Sequence, residues 1–390
     1  MSLKRFTNPK NLRGLGRPLL KRFFGEFEEE LTKCKANLPP ETLEDDDYFK
    51  QLADVFLSPK ELPGEMTEVL YAVLEMANDQ GVDRLSQAAK EKGLAVDWGK
   101  EVSNLDLVMQ VWLADKDLMR EQHSEYRLLG MTAFQYWGTK TPPASRLPFT
   151  PPTDEVLELL RKAVDDWCRE NHRGDNTVSI TQHQLDGEWW FLVQHGGTMS
   201  RLAEAKGNQK TETLIYRPGK DDVVVYNVGR DEIRVHAGSK GERELYRAEF
   251  GQRLRGDAAY FSERKSFVLD PLRDDVEKAL SVDGLPDIKR ITLLEYEVWF
   301  GGEFDDRLVR KSDDMVASAV QRGKDGKVIQ VVSDNGNLVR AVFEVEFANS
   351  KKPRKVHLRP PDELRVGRHG DLKVVQDWLT KREFRAANGK

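Results

Sequence analysis

The sequence predicts an α+β fold: a helical N-terminal domain, a proline-rich linker, and a larger, mainly antiparallel β-rich domain closed by a C-terminal helix. Three observations carry this. Apolar residues recur at three- and four-residue spacing up to residue 138, five prolines crowd residues 139–152, and beyond residue 176 the apolar period drops to two.

Residues 1–17 read as a basic arm, because Lys4, Arg5, Lys10, Arg13 and Arg17 precede any acid and no apolar secretory core accompanies them. Pro18 suits a first helical turn, and Leu19, Phe23, Phe27 and Leu31 then form a stripe at four-residue steps that ends at Pro39-Pro40. Phe23, Phe24 and Phe27 look exposed and available to a partner. EMTEVLYAVLEMANDQG places Met66, Leu70 and Val73 on one side, with Gly81 as C-cap. VDRLSQAAKEKG ends at Gly93, and SNLDLVMQVWLADKDLMREQ begins at Ser103 as N-cap. Residues 18–138 are therefore expected as one all-helical domain.

The linker, 139–152, holds Pro142, Pro143, Pro148, Pro151 and Pro152, a density that no helix tolerates and that favours an extended spacer. A clear helix follows over 153–173. Thr153 caps it, Leu160, Val164 and Trp167 lie on its apolar face, and Gly174 closes it.

The remainder, to residue 390, is β-rich. TVSITQHQLDGEWWFLVQHGG reads as two strands around Asp186-Gly187, a hairpin signal. DVVVYN, EIRVHA and ELYRAEF continue the alternation, and a short helix, PLRDDVEKALS, interrupts it. IKRITLLEYEVWF, KVIQVVS and LVRAVFEVEF resume it, the last two joined by a hairpin at Asp334-Asn335-Gly336-Asn337. A final helix begins near Asp371. Residues 188–197 echo residues 297–302, which raises a duplicated β-rich unit with a subdivision near residue 285.

Composition narrows function mainly by exclusion. The 61 basic and 66 acidic residues nearly balance, so any affinity for nucleic acid must come from a local patch. Two cysteines without paired spacing argue against a disulfide framework or a thiolate metal motif, and fit a reducing, cytoplasmic setting. No apolar run is long enough to span a membrane. P-loop, nucleophile-elbow, dinucleotide, HExxH and EF-hand patterns are all missing. No metal or cofactor is expected.

Several groups could still carry chemistry. His183, His195 and His236 lie on expected strands as polar residues of solvated faces, the reading their spacing favours, or as groups converging on a metal. Cys168 and His172 share a helix face, as core cysteine and helix-end histidine or as a nucleophile pair. Asp186, Glu204 and Lys206, with His195, are the candidates for a metal-dependent hydrolase, whose chemistry wants two carboxylates on a divalent ion and a lysine near the attacking water. However, MSRLAEAKGNQ reads as a helix end or loop. Glu295 with Glu297, and Glu344 with Glu346, each share a strand face, as acid–base pairs or as the solvent side of a sheet.

The most suggestive feature is SKKPRKVHLRPPDELRVGRHG. It presents Lys351, Lys352, Arg354, Lys355, Arg359, Arg365 and Arg368 on an extended, proline-containing segment, as cations able to meet phosphates. No base-reading motif accompanies them, so contact would be to the nucleic-acid backbone. The expected function is a non-catalytic binding or scaffolding subunit of an intracellular assembly, with nucleic acid and other proteins as partners. A metal-dependent hydrolase or nuclease and a pure protein-interaction module are the alternatives.

Overall fold

The computed structural model describes residues 3–57, 62–97, 102–146, 148–206, 210–263, 266–323, 330–348, 350, 353–367 and 369–385. The chain divides into two compact units, Met1–Arg127 and Leu128–Lys390. It is α+β, as the change of period predicts. No helix among the described residues is long and apolar enough to cross a membrane.

The first unit is built from α1 (Pro9–Leu15), α2 (Arg17–Gly25), α3 (Glu28–Cys34), α4 (Asp45–Leu57), α5 (Gly64–Met76), α6 (Asp79–Glu91), α7 (Asn104–Ala114) and α8 (Lys116–Leu129), the last running on into the second unit. The expected basic arm is folded. Leu3, Phe6, Leu12 and Leu15 lie buried in the core, and their burial fixes the cations between them. Arg13 pairs with Asp46, Arg17 with Asp45 at 2.8 Å, and Arg5 donates to the Ala77 carbonyl. Two of these cations thus complement the acidic first turn of α4.

Phe23, Phe24 and Phe27 are also buried, not exposed. Phe23 and Phe27 pack on Trp112 with ring centroids 5.3 and 5.6 Å apart. The four-residue stripe is thus real, but it serves the core. Gly81 does not cap α5, whose C-cap is Ala77, but lies in the first turn of α6, where a Cβ would meet the Met76 carbonyl oxygen at 2.2 Å.

The second unit begins its sheet earlier than expected. Residues predicted as the end of the helical domain form β1 (Ala133–Trp137). The other strands are β2 (Ser179–Leu185), β3 (Glu188–Gly196), β4 (Ser200–Lys206), β5 (Lys210–Tyr216), β6 (Gly219–Asn227), β7 (Glu232–His236), β8 (Ile288–Gly301), β9 (Asp306–Lys311), β10 (Asn337–Phe347), β11 (Arg354–Arg359) and β12 (Glu363–Val366). Ten of them form one antiparallel sheet in the order β2-β3-β6-β7-β1-β12-β11-β10-β8-β9, and β4 and β5 make a separate ribbon.

The Asp186-Gly187 turn takes positive φ at both residues (51° and 79°), as a tight two-residue hairpin requires. The two echoing segments lie in β3 and β8, each second from its own edge of the sheet. The edge partner of β3 precedes it in the chain, whereas that of β8 follows it.

Alternation along the strands gives the sheet two faces. One is largely apolar: Trp190 and Leu192, Val223 and Val225, Phe134, Leu364 and Val366, Val356 and Leu358, then Phe343 and Leu293 share a single core, and β7 adds Arg234 and His236 opposite Val225 and Val223. Helices α11 (Pro271–Asp274), α12 (Val276–Leu280), α13 (Met315–Arg322) and α14 (Leu372–Lys381) contribute to that core through Leu272, Ala279, Met315 and Trp378. The opposite face is divided. Over β3, β6 and β7 it is sealed by α9 (Asp154–Glu170) and α10 (Lys240–Arg255), with Phe191, Val224, Ile233 and Val235 beneath them. Over β10, β11 and β12 the same face carries charged side chains.

Three local expectations fail here for tertiary reasons. ELYRAEF lies in α10, because Ser239 and Glu242 form a reciprocal capping box and Tyr246 and Phe250 bury at a four-residue step. The hairpin at Asp334-Asn335-Gly336-Asn337 does not form. Residues 330–333 are not a strand (327–329 lie outside the described residues), and β10 pairs with β8 and β11 instead. The proline-rich segment is no spacer between the units. It joins β1 to α9, with Phe149 4.7 Å from the Tyr226 ring and Arg146 3.5 Å from Asp231.

Candidate anion-binding cleft

The segment 353–366 is not a loose basic loop. Its cations sit on β11 and β12, in the middle of the sheet, where cross-strand pairing sets their spacing. Val356, Leu358, Leu364 and Val366 turn into the core, which forces Lys355, His357, Arg359 and Arg365 onto the divided face. His357 lies opposite Arg365 and Val342, and Arg365 opposite Ala133.

At the border between the sealed and charged parts of this face lies a cleft of about 430 Å³. Ala133 and Val235, apolar residues of this face, line it. Arg243 of α10, Arg340 of β10, Arg359 of β11 and Arg365 of β12 bring four guanidinium groups to it. His236 and His357 add two imidazoles, and Glu363 is the one carboxylate among the lining residues.

These cations are not equally available. Arg340 is tied to Glu295 and, at 3.1 Å, to Glu297, which are in turn held by Lys311 and Arg307 at 2.9 and 2.8 Å. The acidic stripe on β8 is thereby spent on salt bridges. Arg359 has a loose 3.8 Å pairing with Glu363, and Arg243 donates to the Ala237 carbonyl. Among the described residues, neither Arg365 nor Lys355 has a carboxylate in ion-pair range, although Lys355 lies across from Glu344 in register.

His357 is half-buried among these charges. Burial first, then Arg365, Arg340 and Lys355, hold its ring below the ordinary histidine range, so it is neutral at pH 7. His236 donates from Nδ1 to the Ala133 carbonyl at 2.7 Å. Cations converging on a partly apolar concavity can hold an anion by charge-assisted hydrogen bonds.

The remaining basic candidates fall elsewhere. Arg354 is bound to Asp371 at 2.6 Å and lies over the Phe347 ring, which removes it from the cleft. Lys351, Lys352 and Arg368 lie outside the described residues.

The hydrolase candidates are not gathered into one site. Asp186 lines a second cleft of about 330 Å³, where Glu188 binds Arg234 through both guanidinium nitrogens at 2.6 and 2.5 Å. His195 is at the other end of β3, roughly 30 Å away at about 3.3 Å per residue. Glu204 and Lys206 are on β4, in the separate ribbon, a strand where a helix end or loop was expected. Their stretch pairs with β5 residue for residue.

His195 has a different setting from the one its sequence position suggested. It is buried, with Nε2 2.9 Å from Asp222 and 3.8 Å from Glu242, and Nδ1 2.9 Å from the Gly196 carbonyl. Burial disfavours its charged form, but the hydrogen bond and charge of Asp222, with Cys168 nearby, outweigh that and raise its pKa to about 10. Arg173 binds Glu242, and Tyr246 donates to Asp222 at 2.9 Å. Two cations therefore balance two carboxylates.

Sequence reading missed Arg243 and Arg340, and gave His357 no role. The alternation in RKVHLR and LVRAVFEVEF held the signal for His357 and Arg340, but only strand order tells which strands stand side by side. Arg243 was hidden by reading its helix as a strand. No known family model matches the chain, and no curated protein is similar to it in sequence.

Proposed function

We propose that this protein is a non-catalytic binding subunit of an intracellular, cytoplasmic assembly, and that its cleft captures phosphate groups of a nucleic-acid backbone. The observation that supports this is the convergence of Arg359 and Arg365, from two adjacent strands, with Arg243 and Arg340 on a cleft lined by a single carboxylate. The net charge of −5 keeps general polyanion attraction weak, so affinity rests on this local patch. Nothing in the lining offers a base-reading pattern, and binding should follow charge and backbone rather than sequence.

The test is fluorescence anisotropy with short single- and double-stranded DNA and RNA of scrambled sequence. Wild type should bind unrelated sequences alike, and R359Q/R365Q/K355Q should bind at least about tenfold more weakly at low salt. Absence of wild-type binding at low salt defeats the proposal.

A protein-interaction reading has one observation in its favour. The β4–β5 ribbon exposes Met199, Leu202, Leu214 and Ile215, more apolar surface than an isolated two-stranded ribbon should leave in water. Competition by acidic polypeptides as effective as by nucleic acid would point that way.

A further inference from the structure

The buried cluster around His195 has the composition of a metal centre. Three elements supply it: His195 from β3, Asp222 from β6 and Glu242 from α10. Ligand atoms of His195, Asp222 and Glu242 all lie within 4.8 Å of one another, and all three side chains are buried.

The outer contacts match what ligands need. His195 Nδ1 donates to the Gly196 carbonyl, which leaves Nε2 toward the two carboxylates. Tyr246 Oη donates to Asp222 at 2.9 Å, the Ser239 amide to Glu242 Oε2 at 2.6 Å, and Arg173 to Glu242 Oε1. Metal-bound imidazoles and carboxylates are held in this way by partners behind them.

We propose that His195, Asp222 and Glu242 bind a divalent transition metal. All three side chains are buried and their ligand atoms converge from two strands and a helix. An imidazole beside two carboxylates suits zinc or cobalt rather than magnesium or calcium, which take oxygen ligands.

The experiment uses the full chain, stripped with chelator and reloaded with Zn²⁺ or Co²⁺. Metal content by mass spectrometry should return one equivalent, and a chelator competition should give its affinity. D222N should weaken zinc by more than the 10–100-fold typical of outer contacts. No retained metal in folded wild type overturns the proposal, and so does an unchanged zinc affinity in folded D222N. The metal content of wild type decides the matter even if D222N fails to fold.

Discussion

The two halves of the ten-stranded sheet treat the same face in opposite ways. Over β3, β6 and β7 the face is closed by α9 and α10, and charges near it are buried and paired. Asp231 is the extreme case: it accepts from Tyr226 at 2.6 Å, pairs with Arg255 at 3.0 Å, and has Tyr260 and Arg146 beside it. Over β11 and β12 the described residues of this unit give no such cover, and among them Lys355, Arg359 and Arg365 stand exposed with loose or no acid partners. Identical alternation thus yields structural charges on one side and available charges on the other. What differs is cover, and cover decides whether a charge is part of the fold or part of a site.

That contrast can be broken by charge removal on each side. The largest effect belongs to D231N. Asparagine tolerates the positive φ of 50° there, so the change isolates the charge and leaves Arg255 buried without its ion pair. A loss of about 3–5 kcal/mol in urea unfolding is expected. A loss under about 1 kcal/mol would mean that this half is not held by its buried charges.

On the open half, R359Q/R365Q should cost binding rather than stability. Its urea midpoint should stay within about 0.5 kcal/mol of wild type, as for exposed side chains generally. A large destabilisation would show these arginines to be structural, and would remove the distinction between the halves.

The smallest effect is a pH dependence. His357 is held neutral by burial and by neighbouring cations, so protonation is resisted in the free protein. A bound anion would offset those cations and ease protonation, and the protonated ring would add a charge to the cleft. Affinity should therefore rise as pH falls from about 7.5 to about 5.5, with the rise reduced in H357Q. The same depressed value means that folding stability contributed by neutral His357 is present above the ordinary histidine range and lost as pH falls below it. An affinity independent of pH, or one that rises equally in H357Q, would place the histidine outside the binding event.

Much of this architecture is legible in the sequence, because period carries it. The hairpin at Asp186-Gly187, the helix from Asp154, and the alternating runs of β8 and β10 follow from local pattern alone. What period cannot give is adjacency. Arg359 and Arg365 were recognisable as a basic cluster, yet their alignment with Arg243 and Arg340 depends on a strand order that returns β12 to the side of β1. Equally, the basic N-terminal segment looked free because its cations are visible in sequence, while their partners, Asp45 and Asp46, lie about thirty residues on.

The central claim is that the open half captures phosphate by charge. It is tested most directly by the salt dependence of DNA affinity for wild type and for R359Q/R365Q. Each phosphate neutralised contributes about 0.9 to the slope of log affinity against log salt on duplex DNA. The account predicts a wild-type slope that falls by roughly two phosphate equivalents, or about 1.8, in the variant. An unchanged slope would show that these arginines touch no phosphate, and would contradict the account.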